Sequence, residues 1–237
     1  MTLSLSKVEF NMKKLFLFEI GIAFILYIFF WESIFFSPIR VFFVSIHESM
    51  HAIATILTGG GVASIGLDGY EGVMRPSQNG IVPIVSVAGY LGSALVGGFL
   101  IATKNKASSL VILSLFVSIF MLIFIDTYFS LEFIGVLIIV SAIVIAAIKD
   151  FKLDFISGII GSLLAFGSVQ DVKMYLIRIP GETDAGILAN YLGLPILTLP
   201  ISIFMLVVTL IIYYVALKHR LKNNPNGFSL AKKNKYF

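Results

Sequence analysis

The chain has 237 residues, of which 58% are hydrophobic and only 13% are charged. A soluble domain has about 25% charged residues, so this composition excludes a soluble globular protein, a disordered chain and a coiled coil. There is no cysteine, which excludes disulfides, thiolate metal sites and cysteine nucleophiles. The net charge of +4 forms no basic face, because the cations lie in loops and near the C-terminus. We therefore expect a lipid bilayer around the chain and no nucleic-acid partner.

Apolar stretches of about the length of a transmembrane helix follow one another along the chain. They cover residues 15–36, 39–57, 81–102, 110–125, 128–148, 155–176 and 195–217. There is no internal repeat and no low-complexity segment. The sequence thus predicts one integral membrane domain over residues 1–237, an all-α polytopic protein with about six to seven transmembrane helices.

The distribution of Lys and Arg predicts the orientation. With seven spans, six of these cations lie on the side of the N-terminus and eleven on the side of the C-terminus. The positive-inside rule then places the C-terminus in the cytoplasm, although Lys13 and Lys14 before the first span favour the opposite. A multi-pass chain this compact is expected in a bacterial or archaeal cell membrane.

Two connections between apolar stretches are more than turns. Residues 59–80 are rich in glycine and contain short alternating segments, which predicts a β-hairpin or a small irregular sheet after the second helix. Residues 173–193 are polar and contain a helix start, at which Thr183 or Asp184 can cap the segment 185–192.

The second apolar stretch contains an HExxH motif made of His47, Glu48 and His51. Residues four apart lie on one face of a helix, so both imidazoles can bind one metal ion, and Glu48 can polarise a water molecule and move its proton. Zinc is the expected metal, because it accepts imidazole and carboxylate ligands. A charge inside a bilayer costs about 2.5–3.5 kcal/mol, which favours a functional site over a pair of interfacial histidines.

A catalytic zinc site needs a third protein ligand, and four acidic residues compete for that role. Asp171 lies within an apolar stretch, where a lone carboxylate needs a reason, whereas Asp184 has an alternative use as a helix cap. Glu71 and Asp68 lie in the glycine-rich connection, and a β-turn explains Asp68. The burial cost favours Asp171, with Asp184 as the second choice.

Several motifs occur in a characteristic order. They are HExxH followed by Ala52 and by Leu-Thr-Gly-Gly-Gly at 57–61, Gly-Tyr-Leu-Gly-Ser at 89–93, Ser-Val-Gln-Asp at 168–171, and Thr-Asp-Ala at 183–185 followed by Leu-Ala at 188–189 and Gly-Leu-Pro at 193–195. This order resembles the site-2 protease family of intramembrane zinc metalloproteases, in its short M50B-like branch.

The resemblance implies a zinc ion bound by the HExxH helix and by an aspartate from a later helix. Carried over to this chain, His47 and His51 are zinc ligands, Glu48 is the catalytic base, and Asp171 or Asp184 is the third ligand. Residues 59–80 resemble the β-segment thought to guide an extended substrate in this family. In larger members an LDG motif lies on a late transmembrane helix, whereas here it lies at residues 67–69.

The leading functional hypothesis is therefore an intramembrane zinc metalloprotease whose partner is a membrane protein substrate. A metal-binding membrane transporter is the first alternative, with Glu19 and Glu32 joining the motif residues along an ion path. An inactive family member that acts as a binding scaffold is the second. The sequence does not indicate the oligomeric state.

Overall fold

The computed structural model describes residues 12–68, 71–103, 106–128, 130–149, 153–177 and 183–223. Within these ranges the chain is mostly helical and carries one two-stranded antiparallel sheet. The helices are α1 (Met12–Phe30), α2 (Ser37–Leu57), α3 (Val82–Ala102), α4 (Lys106–Phe124), α5 (Leu131–Ile148), α6 (Leu153–Ile177), α7 (Asp184–Tyr191) and α8 (Thr198–Asn223), and the strands are β1 (Gly61–Asp68) and β2 (Glu71–Gln78).

Four helical segments of the described chain are long and apolar enough to cross a membrane. They are Val82–Ala102, Ala107–Phe124, Leu131–Ile148 and Pro195–Lys222. Within the residues whose side chains the structure describes, α1 contributes the apolar helical segment Leu15–Phe30 and α6 the segment Leu153–Phe166. Helix α2 has 21 residues, but the polar side chains of its HExxH motif and Arg40 lower its hydropathy. The predicted helical membrane fold is confirmed, and crossings beyond four stay a prediction.

Helix α3 lies at the centre of the described helices and packs against α2, α6 and α8. Glycines allow the close approach on the side of α6 and α8. A Cβ at Gly97 would lie 2.8 Å from the carbonyl oxygen of Gly161 on α6, and that oxygen accepts a 2.5 Å hydrogen bond from the hydroxyl of Tyr213 on α8. Small residues and a shared hydrogen bond therefore join the three helices, as is usual where helices pack inside a membrane.

A buried ion pair joins the first and the last helix. The guanidinium of Arg220 on α8 donates to both carboxylate oxygens of Glu19 on α1, at 2.5 and 2.9 Å. The two side chains are only 2% and 1% exposed. Gly158 on α6 lies against this carboxylate and has no room for a Cβ. Helices α1, α6 and α8 thus meet at one charged contact.

The strands β1 and β2 form a hairpin between α2 and α3, which confirms the β-structure predicted for residues 59–80. Asp68 pairs with Glu71 at the turn, and the pairing continues to Ser64 opposite Arg75, after which the register becomes irregular. The hairpin is held on its β1 side by the segment after α4. Asp126 donates its N–H to the carbonyl of Ile65 at 3.1 Å, and its carboxylate binds Arg75 at 2.6 Å.

The two ends of the hairpin meet at the C-terminus of α2. Gly60 donates its N–H to the carbonyl of Thr55 at 2.8 Å, and the hydroxyl of Thr58 accepts a hydrogen bond from Ile81 at 3.0 Å. Gly59 has a φ of +85°, a conformation that favours glycine. These contacts explain the Leu-Thr-Gly-Gly-Gly motif, because it fixes the hairpin close to the HExxH helix.

Candidate metal centre

The two motif histidines point the same ring nitrogen toward one place. His47 and His51 lie one turn apart on α2, and their Nε2 atoms are 3.0 Å apart. The Nδ1 atom of His51 lies 2.7 Å from the carbonyl oxygen of Val85 on α3. A carbonyl only accepts, so Nδ1 carries the proton and donates it, which leaves the lone pair of Nε2 facing the site.

Asp184, the first residue of α7, completes this group. Thr183 caps the helix, because its Oγ1 accepts a 3.1 Å hydrogen bond from the N–H of Gly186. The carboxylate of Asp184 is therefore not used as a cap. Its Oδ2 lies 3.0 Å from Nε2 of His47 and 3.1 Å from Nε2 of His51. Within the described ranges, His47, His51 and Asp184 form a group of potential metal ligands, which we call the histidine–aspartate cluster.

The cluster fits a zinc ion in its chemistry and its spacing. Two imidazoles and one carboxylate are a common catalytic zinc set, and ligand atoms of a tetrahedral zinc lie roughly 3.3 Å apart. The donor atoms here are 3.0–3.1 Å apart. Gly89 on α3 keeps them accessible, because a Cβ at this position would collide with Nε2 of both histidines. Helix α3 therefore packs close to the ligand atoms, and the missing side chain of Gly89 leaves space for a metal ion between them.

Glu48 lies beside the cluster but is bound to the hairpin. Its side chain is buried, and Oε2 accepts a 2.7 Å hydrogen bond from the N–H of Met74 on β2. Strand β2 reaches this position because of Gly72, where a Cβ would lie only 2.5 Å from Cγ of Glu48. The hairpin thus fixes the carboxylate that the sequence assigns as the catalytic base.

The structure places the four acidic candidates for the third ligand at different distances from the histidines or leaves their side chains outside the described residues. Asp171 lies in α6, but its side chain is outside the described residues, so the preference for Asp171 stays a prediction. Glu71 and Asp68 are exposed where the strands meet at the turn, and neither belongs to the histidine–aspartate cluster. Among the side chains that the structure describes, the carboxylate of Asp184, the second choice from the sequence, is the one that lies next to both histidines.

Three features of the site were not recognised from the sequence. They are the carbonyl of Val85, which accepts from His51, the absence of a side chain at Gly89 next to both imidazoles, and the N–H of Met74, which binds Glu48. Two of them are backbone groups, which any residue type can supply, so no residue pattern marks them. The Gly-Tyr-Leu-Gly-Ser motif did mark the part of α3 that contains Gly89, without indicating what the glycine contacts.

A family model described as Peptidase M50B-like matches residues 20–216, which is most of the chain. Comparisons with curated proteins and with solved structures gave no match. The matched region includes the HExxH helix, the β-hairpin and Asp184, together with three of the four helical segments apolar enough to cross a membrane and most of the fourth. The protein is therefore an integral membrane protein, and it belongs to the M50B-like peptidase family.

Proposed function

We propose that this protein is an intramembrane zinc metalloprotease that hydrolyses peptide bonds in or near the transmembrane segments of other membrane proteins. The observation that carries the proposal is the convergence of His47, His51 and Asp184 next to Glu48, in a chain of a peptidase family. We propose Asp184 as the third ligand, because its Oδ2 lies within 3.1 Å of both imidazoles.

A zinc ion held by these three residues would lower the pKa of a water molecule to near 7 and polarise the carbonyl of the scissile bond. Glu48 accepts the proton of the attacking water and passes it to the nitrogen of the leaving amine. The N–H of Met74 orients the carboxylate for both transfers, because it binds Oε2 and restricts rotation of the side chain.

We propose that an extended substrate binds beside the edge of β2 that faces away from β1, where Met74 holds Glu48. The N–H of Met74 points away from β1 toward Glu48, and alternate residues of a strand present their backbone groups in the same direction. Gly72 therefore presents its N–H and C=O on that edge, whereas Pro76 contributes no N–H. A substrate segment that unwinds and pairs with this edge would place its backbone beside Glu48.

The remaining apolar helices complete the membrane domain in this proposal. We propose that α1 and α6 also cross the bilayer, which gives six crossings with α7 as a short helix between two of them. An even number of crossings agrees with the pair of Glu19, near the start of α1, and Arg220, near the end of α8. We also propose that the C-terminus lies in the cytoplasm, because Lys and Arg are in excess on that side, and that the membrane is that of a bacterial or archaeal cell.

The experiment that tests this function separates binding of zinc from hydrolysis. The full-length protein is purified in detergent, its zinc content is measured by elemental analysis, and cleavage of a model transmembrane substrate is followed by gel electrophoresis. Glu48→Gln should keep the zinc and lose cleavage, because Glu48 moves the proton and is not a ligand. Normal cleavage by Glu48→Gln would refute the proposal.

The same preparation distinguishes the alternatives. An ion path along Glu19 finds no support in the described residues, since this carboxylate is paired with Arg220 and does not belong to the cluster. Zinc-dependent uptake into sealed vesicles would favour a transporter. One bound zinc without cleavage of any transmembrane segment would favour a scaffold.

A further inference from the structure

The two histidines of the cluster are held in different ways. The side chain of His51 is 8% exposed, and Val85 fixes its ring by the hydrogen bond at Nδ1. The side chain of His47 is 20% exposed, and its hydrogen-bond contacts within the described part of the chain all involve Nε2, the atom that faces Asp184. A histidine that binds a metal needs a further contact that sets the direction of its ring.

Tyr90 on α3 supplies such a contact. Its ring lies 4.5 Å from the ring of His47 between centroids, at an interplanar angle of 78°. The ring of His51 lies 4.7 Å from that of His47 at 77°. His47 therefore contacts two aromatic rings edge to face, an arrangement that aromatic rings prefer over face-to-face stacking.

The backbone around Tyr90 cannot move away from α2 without opening the site. Gly89 lies directly against the two Nε2 atoms. On the other side of Tyr90, a Cβ at Gly92 would lie 2.5 Å from Cγ of Met50 on α2. Glycines on both sides thus bring α3 as close to α2 as the backbone allows, and this closeness fixes how far the tyrosine ring stands from His47.

We propose that Tyr90 is a positioning residue whose ring holds the imidazole of His47 with Nε2 directed at the metal. This rests on the proposed zinc site and deepens it. The contact that carries the argument is made by the aromatic ring, so phenylalanine replaces tyrosine in this role and an aliphatic side chain does not.

The test uses the purified full-length protein with Tyr90→Leu, Tyr90→Phe and a control on the same helix, Leu95→Ala, whose side chain is 60% exposed. The affinity for zinc is measured by competition with a chromophoric chelator, and the visible spectrum is recorded with Co²⁺ in place of zinc. Tyr90→Leu should weaken zinc binding by about 10-fold, which is the lower end for loss of a contact that orients a ligand, and should change the cobalt spectrum. Tyr90→Phe and Leu95→Ala should match the wild-type protein in both measurements.

Two results would overturn this inference. One is a Tyr90→Leu variant with the affinity and spectrum of the wild type, and the other is a Tyr90→Phe variant that loses as much affinity as Tyr90→Leu. If Tyr90→Leu does not fold, Tyr90→Met also lacks the ring and is judged by the same criteria. A wild-type protein that binds no zinc would instead refute the proposed function itself.

Discussion

The buried pair of Glu19 and Arg220 leads to a prediction about stability. Replacing Glu19 with Gln keeps the size of the side chain but removes its charge. The guanidinium of Arg220, which is 2% exposed, then stays buried without a counter-charge. Removing one member of a buried ion pair costs about 3–5 kcal/mol, so Glu19→Gln should lower the free energy of unfolding by about that amount.

A neutral hydrogen bond in the same place would predict a smaller loss of stability. Hydrogen bonds between neutral groups in membrane proteins contribute about 0.6 kcal/mol on average, because the unfolded chain in the membrane also finds partners. The pair of Glu19 and Arg220 differs in carrying full charges and two N–O contacts at 2.5 and 2.9 Å. The expected loss in the free energy of unfolding is larger because Glu19→Gln leaves the buried charge of Arg220 unpaired.

The assay is reversible unfolding of the purified protein in mixed micelles with increasing dodecyl sulfate. Asp126→Asn is the matched control, since it makes the same acid-to-amide change in the pair with Arg75, whose members are 32% and 53% exposed. An exposed pair contributes about 0.2–1 kcal/mol, so the control should lose little stability. The reasoning is refuted if Glu19→Gln costs no more than Asp126→Asn.

Two further predictions concern the metal centre. Asp184→Ala should purify without zinc, whereas Asp171→Ala should keep it; elemental analysis of both variants decides, and the reverse result would assign the third ligand to Asp171. Gly89→Ala should bind zinc more weakly, because its methyl group meets Nε2 of His47 and His51, and a zinc affinity equal to that of the wild type would show that α3 can move away from the ligands.

The hydrophobic pattern was sufficient to predict the helices, while their ends depend on contacts outside the pattern. The sixth apolar stretch was predicted from residue 155, and α6 begins at Leu153. The last stretch was predicted over 195–217, whereas Pro195–Leu197 form a 3-10 turn and α8 continues to Asn223. Hydropathy falls at the polar residues after 217, but helical hydrogen bonding does not require apolar side chains.

The hairpin and the HExxH ligands could be predicted because each depends on residues close together in the chain. Glycines between alternating segments indicate a hairpin, and a spacing of four places His47 and His51 on one face. The contact of Met74 with Glu48 joins residues 26 positions apart through a backbone N–H. A single sequence holds no signal for a contact of that kind.

The third ligand shows why local rules alone could not choose between the aspartates. Burial cost favoured Asp171, and the capping preference gave Asp184 an ordinary role at a helix start. That preference is satisfied by Thr183, one residue earlier, so Asp184 becomes the first residue of α7. An acidic side chain in the first turn is stabilised by the helix dipole without acting as the cap, which leaves its oxygen available to the two imidazoles. The residue that caps the helix therefore determines which carboxylate reaches the histidines, and this depends on how the chain returns to α2.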